Sequence, residues 1–311
     1  MAPMPGPGVS PTAPDRRVTA SDGVRLAVYE RGDPAAPTVL CVHGYPDNAS
    51  VWDGVAGLLA ADHHVVTYDV RGAGASTAPA GRDGYALDLL ADDLARVAAA
   101  TAPDRRPHLL GHDWGSIQTW HAVTEPRLAD RFASFTSVSG PCLDHVGLWL
   151  RERLGAGPRG RAEGLAQLRR SAYIAFFRLP VVPELAWFSG VGGPALAALE
   201  RLRDPGGPPP RRSVRDHVNG LELYRRNVAD HLGRPRPRGT GLPVRVLVPA
   251  DEVFMTEAAQ AAAAAWVPDF RSHRVPGGHW VPRTRPAAVA DRVRALVAEV
   301  EAARAPDGGP D

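Results

Sequence analysis

Pro107-His108-Leu109-Leu110-Gly111-His112-Asp113-Trp114-Gly115-Ser116 reads as a short apolar strand that runs into a sharp turn and then a helix. Its centre, Gly111 to Gly115, has the pattern of a nucleophile elbow, G-x-S-x-G, with aspartate where the serine would stand. Glycine on each side lets the chain turn tightly and holds one side chain out at the sheet edge. A serine there attacks acyl carbon. A carboxylate attacks saturated carbon when the leaving group is good or activated. The competing reading, a helix N-cap aspartate, does not account for what surrounds the motif.

Outward from the elbow, strands and helices alternate. Val24 to Tyr29, Thr38 to Val42, His64 to Tyr68 and Phe132 to Ser139 read as strands. Ala49 to Leu59, Tyr85 to Ala100 and Ser116 to Val123 carry the helical period between them. After Pro141 the rhythm changes: the next hundred residues are helical, aromatic and rich in Arg and Pro, with a loop at Pro205-Gly206-Gly207-Pro208-Pro209-Pro210. Strands return at Val244 to Val248 and Phe270 to Val275, and Pro286 to Glu299 closes as a helix. The fold class expected is α/β, a mostly parallel sheet with helices on both faces. Residues 18–141 and 242–302 form its core and 142–241 an inserted helical cap. Residues 1–17 and 303–311 are expected to be disordered tails.

With 311 residues the chain can bury a large core, and its formal charge is only +2. Every basic residue is arginine, spread along the chain and often beside an acid. Together with abundant Ala, Gly and Pro this reads as a coding bias rather than a nucleic-acid surface. Cys41 lies in an apolar run, Met1 to Arg17 lacks the apolar segment of a signal peptide, and no stretch has transmembrane length. A soluble, cytoplasmic protein is expected.

An alkyl ester on Asp113 needs a base to bring water onto it, and imidazole suits that task at neutral pH. His279, in Pro276-Gly277-Gly278-His279-Trp280, follows the last strand, where a loop can carry it back over the elbow. An acid must orient that ring. Asp251 and Glu252 are adjacent candidates after the Val244 strand, and Asp144 is a third; of the first two, one side chain can reach the histidine while its neighbour faces solvent. Attack of water on the ester makes an oxyanion, for which the backbone N–H groups of Tyr45 and Trp114 are the natural donors. His43 reads as a structural hydrogen-bonding residue. No histidine pair has the spacing of an HExxH metal site, so neither metal nor cofactor is expected.

Val42-His43-Gly44-Tyr45-Pro46-Asp47-Asn48, Asp69-Val70-Arg71-Gly72-Ala73-Gly74-Ala75-Ser76, the elbow and Gly277-Gly278-His279-Trp280 resemble, in order and spacing, the epoxide hydrolases of the α/β-hydrolase fold. With Ser139-Gly140-Pro141-Cys142-Leu143-Asp144-His145 they are most similar to the hydrolase half of actinobacterial two-domain proteins that continue into a short-chain dehydrogenase. The dehydrogenase itself is not expected within this chain. The resemblance implies opening of an epoxide by Asp113, with water as the second substrate; the apolar, aromatic residues Trp149, Phe176, Phe177, Trp187 and Phe188 of the expected cap suggest a small hydrophobic one. It also implies two tyrosines that protonate the ring oxygen: Tyr173 in Tyr173-Ile174-Ala175-Phe176-Phe177-Arg178-Leu179-Pro180, and Tyr224 in Leu223-Tyr224-Arg225-Arg226-Asn227. Its acid, usually aspartate three residues after a small residue or proline, falls on Glu252. The alternatives are a haloalkane dehalogenase with the same nucleophile, where relatives often have Asn at the Tyr45 position, and a catalytically silent binding protein.

Overall fold

A computed structural model describes residues 13–304. One sheet contains β1 (Arg16–Thr19), β2 (Arg25–Arg31), β3 (Thr38–Val42), β4 (His64–Tyr68), β5 (His108–His112), β6 (Ser134–Val138), β7 (Val244–Pro249) and β8 (Phe270–Val275). Their order is β1-β2-β4-β3-β5-β6-β7-β8. β2 pairs antiparallel with β1 and β4, and the other neighbours are parallel.

The helices up to β6 are α1 (Asp53–Leu59), α2 (Leu87–Thr101), α3 (Trp114–Val123) and α4 (Pro126–Ala129). Between β6 and β7 lie α5 (Leu143–Gly155), α6 (Pro158–Arg170), α7 (Tyr173–Phe177), α8 (Val182–Phe188), α9 (Gly192–Arg203) and α10 (Val214–Gly233). After β7 come α11 (Glu257–Gln260), α12 (Val281–Thr284) and α13 (Pro286–Arg304).

Every residue of β3, β4, β5 and β6 is buried, as a sheet covered on both faces requires. Alternation sorts the side chains. Leu40 and Val42 join a core with Leu90, Leu94 and Trp120 of α2 and α3; Val39 and Cys41 join the opposite one with Val55, Leu59, Val293 and Val297 of α1 and α13. Each Val or Leu removed from water in this way contributes roughly 1.5–3 kcal/mol. The parallel register sets the carboxyl ends of β3, β5, β6, β7 and β8 along one edge, where a doubly covered sheet gathers its functional loops.

The expected tails are shorter than their sequence limits. Arg16 and Arg17 pair with Val28 and Ala27 in β1, and Val18 is buried, so the antiparallel edge reaches into what composition marks as tail. Ala303 and Arg304 still belong to α13. The rest of both expected tails, residues 1–12 and 305–311, lies outside the described residues.

Candidate active site

Asp113 follows β5 with φ 52° and ψ −124°, a conformation that a residue with a side chain rarely adopts. The neighbouring backbone holds it there. Its N–H donates to the Val138 carbonyl at 3.0 Å, and its own carbonyl accepts from the Ile117 N–H at 3.0 Å. Gly115 is required next to it, because a Cβ would stand 2.0 Å from the Val42 carbonyl oxygen. The result is a carboxylate at the sheet edge, at the start of α3.

Two backbone donors face this carboxylate or lie beside it. The Tyr45 N–H donates to Asp113 Oδ1 at 2.7 Å. Trp114 is the first residue of α3, so its N–H has no partner within the helix. His43 shapes the loop that presents Tyr45: its Nδ1–H donates to the Gly44 carbonyl at 2.9 Å, and its Nε2 accepts from the Val70 N–H at 2.9 Å.

The loop after β8 returns His279 over the elbow. Nε2 lies 3.6 Å from Asp113 Oδ2, while Nδ1 is 2.9 Å from Glu252 Oε2, with both side chains buried. With Nδ1–H donating to Glu252, Nε2 is the atom free to exchange protons near Asp113. Burial alone would lower the imidazole's pKa, but the carboxylates of Glu252 and Asp113 outweigh it and raise it to about 10. Burial likewise pushes Glu252 upward, and the adjacent His279 charge holds it below its usual value.

Of the three candidate acids, the structure brings only Glu252 to His279. Asp251 is exposed on the turn, where its N–H donates to the Gly277 carbonyl. Successive side chains on this turn point apart, so one acid is turned inward and the other outward. Asp144 is buried elsewhere, paired with His231 and Arg238. Among the described residues, His121, Asp144 and His231 are the group with metal-ligand chemistry, their donor atoms within 4.8 Å of one another. His121 is also bound to Asp88, and none of these residues lines the Asp113 cavity.

Tyr173 of α7 and Tyr224 of α10 lie 6.1 Å apart, ring centre to ring centre. Tyr224 also packs edge-on against Trp114 at 4.8 Å. Burial, and then the charge of Asp113, raises the Tyr173 hydroxyl, and burial raises Tyr224, so both stay protonated. Both tyrosines, Asp113, Phe254 and His279 border two adjoining apolar cavities of about 150 and about 70 Å³. One continues toward Tyr45, Leu196 and Leu199, the other toward Ile117, Leu143 and Val146.

Sequence reasoning missed two groups of supporting residues. His112, inside the elbow motif, donates from Nε2 to the His279 carbonyl at 2.8 Å, and Phe254 sets its ring edge-on to His279 at 4.7 Å. Beneath the same loop, Arg212 binds Asp47 at 2.6 Å and also Glu200, while Arg283 binds Glu200 at 2.6 Å. The Arg212 guanidinium stands 5.5 Å from the Trp280 ring. An acid in the loop after β3 and an arginine just before a helix carry no local signal that they will meet.

A profile of the α/β-hydrolase fold matches residues 37–178. Probable oxidoreductase EphD of Mycobacterium tuberculosis is 34% identical over 292 residues, covering 89% of this chain and 48% of that protein. Epoxide hydrolase A of the same organism is 38% identical over 133 residues, 42% of this chain and 40% of that protein. The chain thus spans about half the length of these curated relatives, or less. The crystal structure of a Bacillus megaterium epoxide hydrolase in complex with an inhibitor superposes with a TM-score of 0.74 at 20% identity, over 91% of this chain and 100% of that one; this is a likeness of fold. By sheet order, elbow and these likenesses the chain has the α/β-hydrolase fold, with epoxide hydrolases among the proteins its sequence is similar to.

Proposed function

We propose that the chain hydrolyses a hydrophobic epoxide to a vicinal diol through an ester on Asp113. One observation carries the reading: the lining shared by the two adjoining apolar cavities holds the Asp113 carboxylate, the His279 ring beside it and two protonated tyrosines. Asp113 Oδ1 is engaged by the Tyr45 N–H, which leaves Oδ2 to attack the less hindered ring carbon. The C–O bond breaks as Tyr173 and Tyr224 donate to the oxygen, so that an alcohol leaves rather than an alkoxide. Residues 142–241 act as the cap that brings these tyrosines over the elbow.

Alkylation removes the charge of Asp113, one of the two carboxylates that raise His279. The imidazolium then holds its proton less tightly and gives it back, through solvent, to the tyrosine that lost one; the neutral ring can then take a proton from water, which attacks the ester carbonyl. Oδ1, already beside the Tyr45 N–H, becomes the oxyanion, with Trp114 N–H as second donor. Collapse breaks the bond between the carbonyl carbon and the alkyl oxygen, which takes the proton from the imidazolium and leaves as the diol; the acid formed on Asp113 passes its proton to His279, which restores the carboxylate and the imidazolium.

The test is covalent trapping. His279→Gln incubated with styrene oxide should accumulate an adduct of the epoxide's mass on the peptide containing Asp113, and Asp113→Asn should accumulate none. Absence of the adduct across styrene, fatty-acid and short aliphatic epoxides would sink the reading. Chloride release from chloroalkanes without diol formation would favour the dehalogenase instead.

A further inference from the structure

The helices that precede α10 turn apolar side chains outward. Among the described residues, every exposed large hydrophobic except Leu58, Leu154 and Val214 lies between Leu165 and Leu202. In α8, Pro183 and Trp187 face inward, yet Leu185 and Phe188 on the other side are 61% and 67% exposed. α9 is inverted: it buries Glu200 and exposes Leu199 and Leu202. Val181 holds a φ of 67°, rare for a β-branched residue, and is also exposed. Packing of the fold accounts for none of this, since a run of exposed large apolar side chains is normally covered.

Two features say what covers it. First, the charge around the face is one-sided. Arg178, Arg201 and Arg203 are exposed, whereas Glu184 is engaged by Arg225 and Glu200 is spent inside on Arg212 and Arg283. Second, the face is continuous with the site, because Leu199 belongs both to the exposed patch and to the lining of the cavity at Asp113. Exposed apolar side chains interspersed in sequence with exposed arginines suit the boundary between anionic headgroups and acyl chains. No helix of the described residues is long and apolar enough to cross a membrane, so the contact would be peripheral.

We propose that α7, α8 and α9 form a docking face for an anionic lipid bilayer, from which an apolar ligand passes into the cavity without crossing water. This goes beyond the reaction proposed above and stands without it, since binding to vesicles needs no substrate. The full chain should co-sediment with vesicles of phosphatidylcholine mixed with phosphatidylglycerol, and less with phosphatidylcholine alone. Leu185→Ser/Phe188→Ser/Val191→Ser and, separately, Arg178→Glu/Arg201→Glu should each lower the partition coefficient by about tenfold or more. None of these side chains contributes to the catalytic set, and unchanged thermal unfolding would show that the variants keep the fold. The proposal is overturned if the chain ignores both kinds of vesicle, or if the variants bind as the parent does. It is equally overturned if sedimentation equilibrium shows a dimer that the triple serine variant dissociates, because a second copy would then own the face.

Discussion

At the scale of single residues, the protonation of His279 organises the proposed reaction. Its pKa of about 10 describes a chain whose Asp113 is charged, and the ester has lost that charge. In single-turnover measurements the ester-hydrolysis step should therefore rise with pH through a midpoint clearly below 10; a midpoint at or above that value would contradict the account. Glu252→Gln removes the other carboxylate and the acceptor that orients Nδ1–H, so hydrolysis of the ester should slow by about a hundredfold or more while alkylation changes less. Tyr173→Phe and Tyr224→Phe should do the reverse, slowing alkylation by about tenfold to a hundredfold each. Stability follows the same groups. His279 binds its proton more tightly in the folded chain, so its contribution is complete below its ordinary 6.5 and lost as pH rises through about 10. Glu252, held low, contributes above its ordinary 4.5 and loses that contribution as pH falls through its folded value. His279→Gln should thus lose more stability relative to the parent at pH 6 than at pH 10, measured by urea unfolding.

At the scale of elements, what the sequence made legible was what local pattern determines. Thr38–Val42 and His64–Tyr68 read correctly to the residue because both faces of these strands are buried and loop residues bound them. The elbow and the loop of His279 were legible because each follows such a strand directly. β1 was not, since Arg16–Thr19 is a short, mostly exposed edge strand defined by its pairing with β2 rather than by its own pattern. The choice among Glu252, Asp251 and Asp144 was also out of reach, because it turns on how the β7 turn rotates two adjacent side chains. α10 shows what packing adds. Ser213 and Asp216 cap it reciprocally, and Asp216 also accepts from the Gly74 N–H at 2.8 Å, so this helix is pinned to the loop after β4. Gly220, one turn before Tyr224, faces Tyr45, and a Cβ there would stand 2.3 Å from the ring. Alanine should gain about 1 kcal/mol in helix propensity and lose more than that to the contact. Gly220→Ala should therefore lower the unfolding midpoint and, by displacing Tyr224, slow alkylation more than ester hydrolysis.

At the scale of the whole molecule, the question is what fixes the inserted helices to the sheet. The apolar packing of Leu221, Tyr224 and Val228 supplies part of the answer, but the ion network beneath the His279 loop supplies direction. Asp47 follows β3 and Arg283 lies in α12, whereas Glu200 and Arg212 belong to the insertion, so each of the three pairs is set between core and insertion or inside it. All four side chains are nearly inaccessible to water. Burial opposes the charge on Arg212, and the two carboxylates more than reverse that effect; the same contact keeps Asp47 below its usual range. Removing Arg212 leaves Asp47 charged without its guanidinium in a poorly solvated place and Glu200 with Arg283 as its remaining partner, a loss of about 3–5 kcal/mol. Arg212→Ala should therefore shift the urea midpoint far down. Arg226→Ala, which removes pairs with the exposed Asp83 and Asp230, should change stability by less than about 1 kcal/mol. Equal effects of the two substitutions would show that the buried network does not fasten the insertion. If the network does fasten it, Arg212→Ala should also reduce turnover, because Trp280, over which the guanidinium stands, is the residue next to His279.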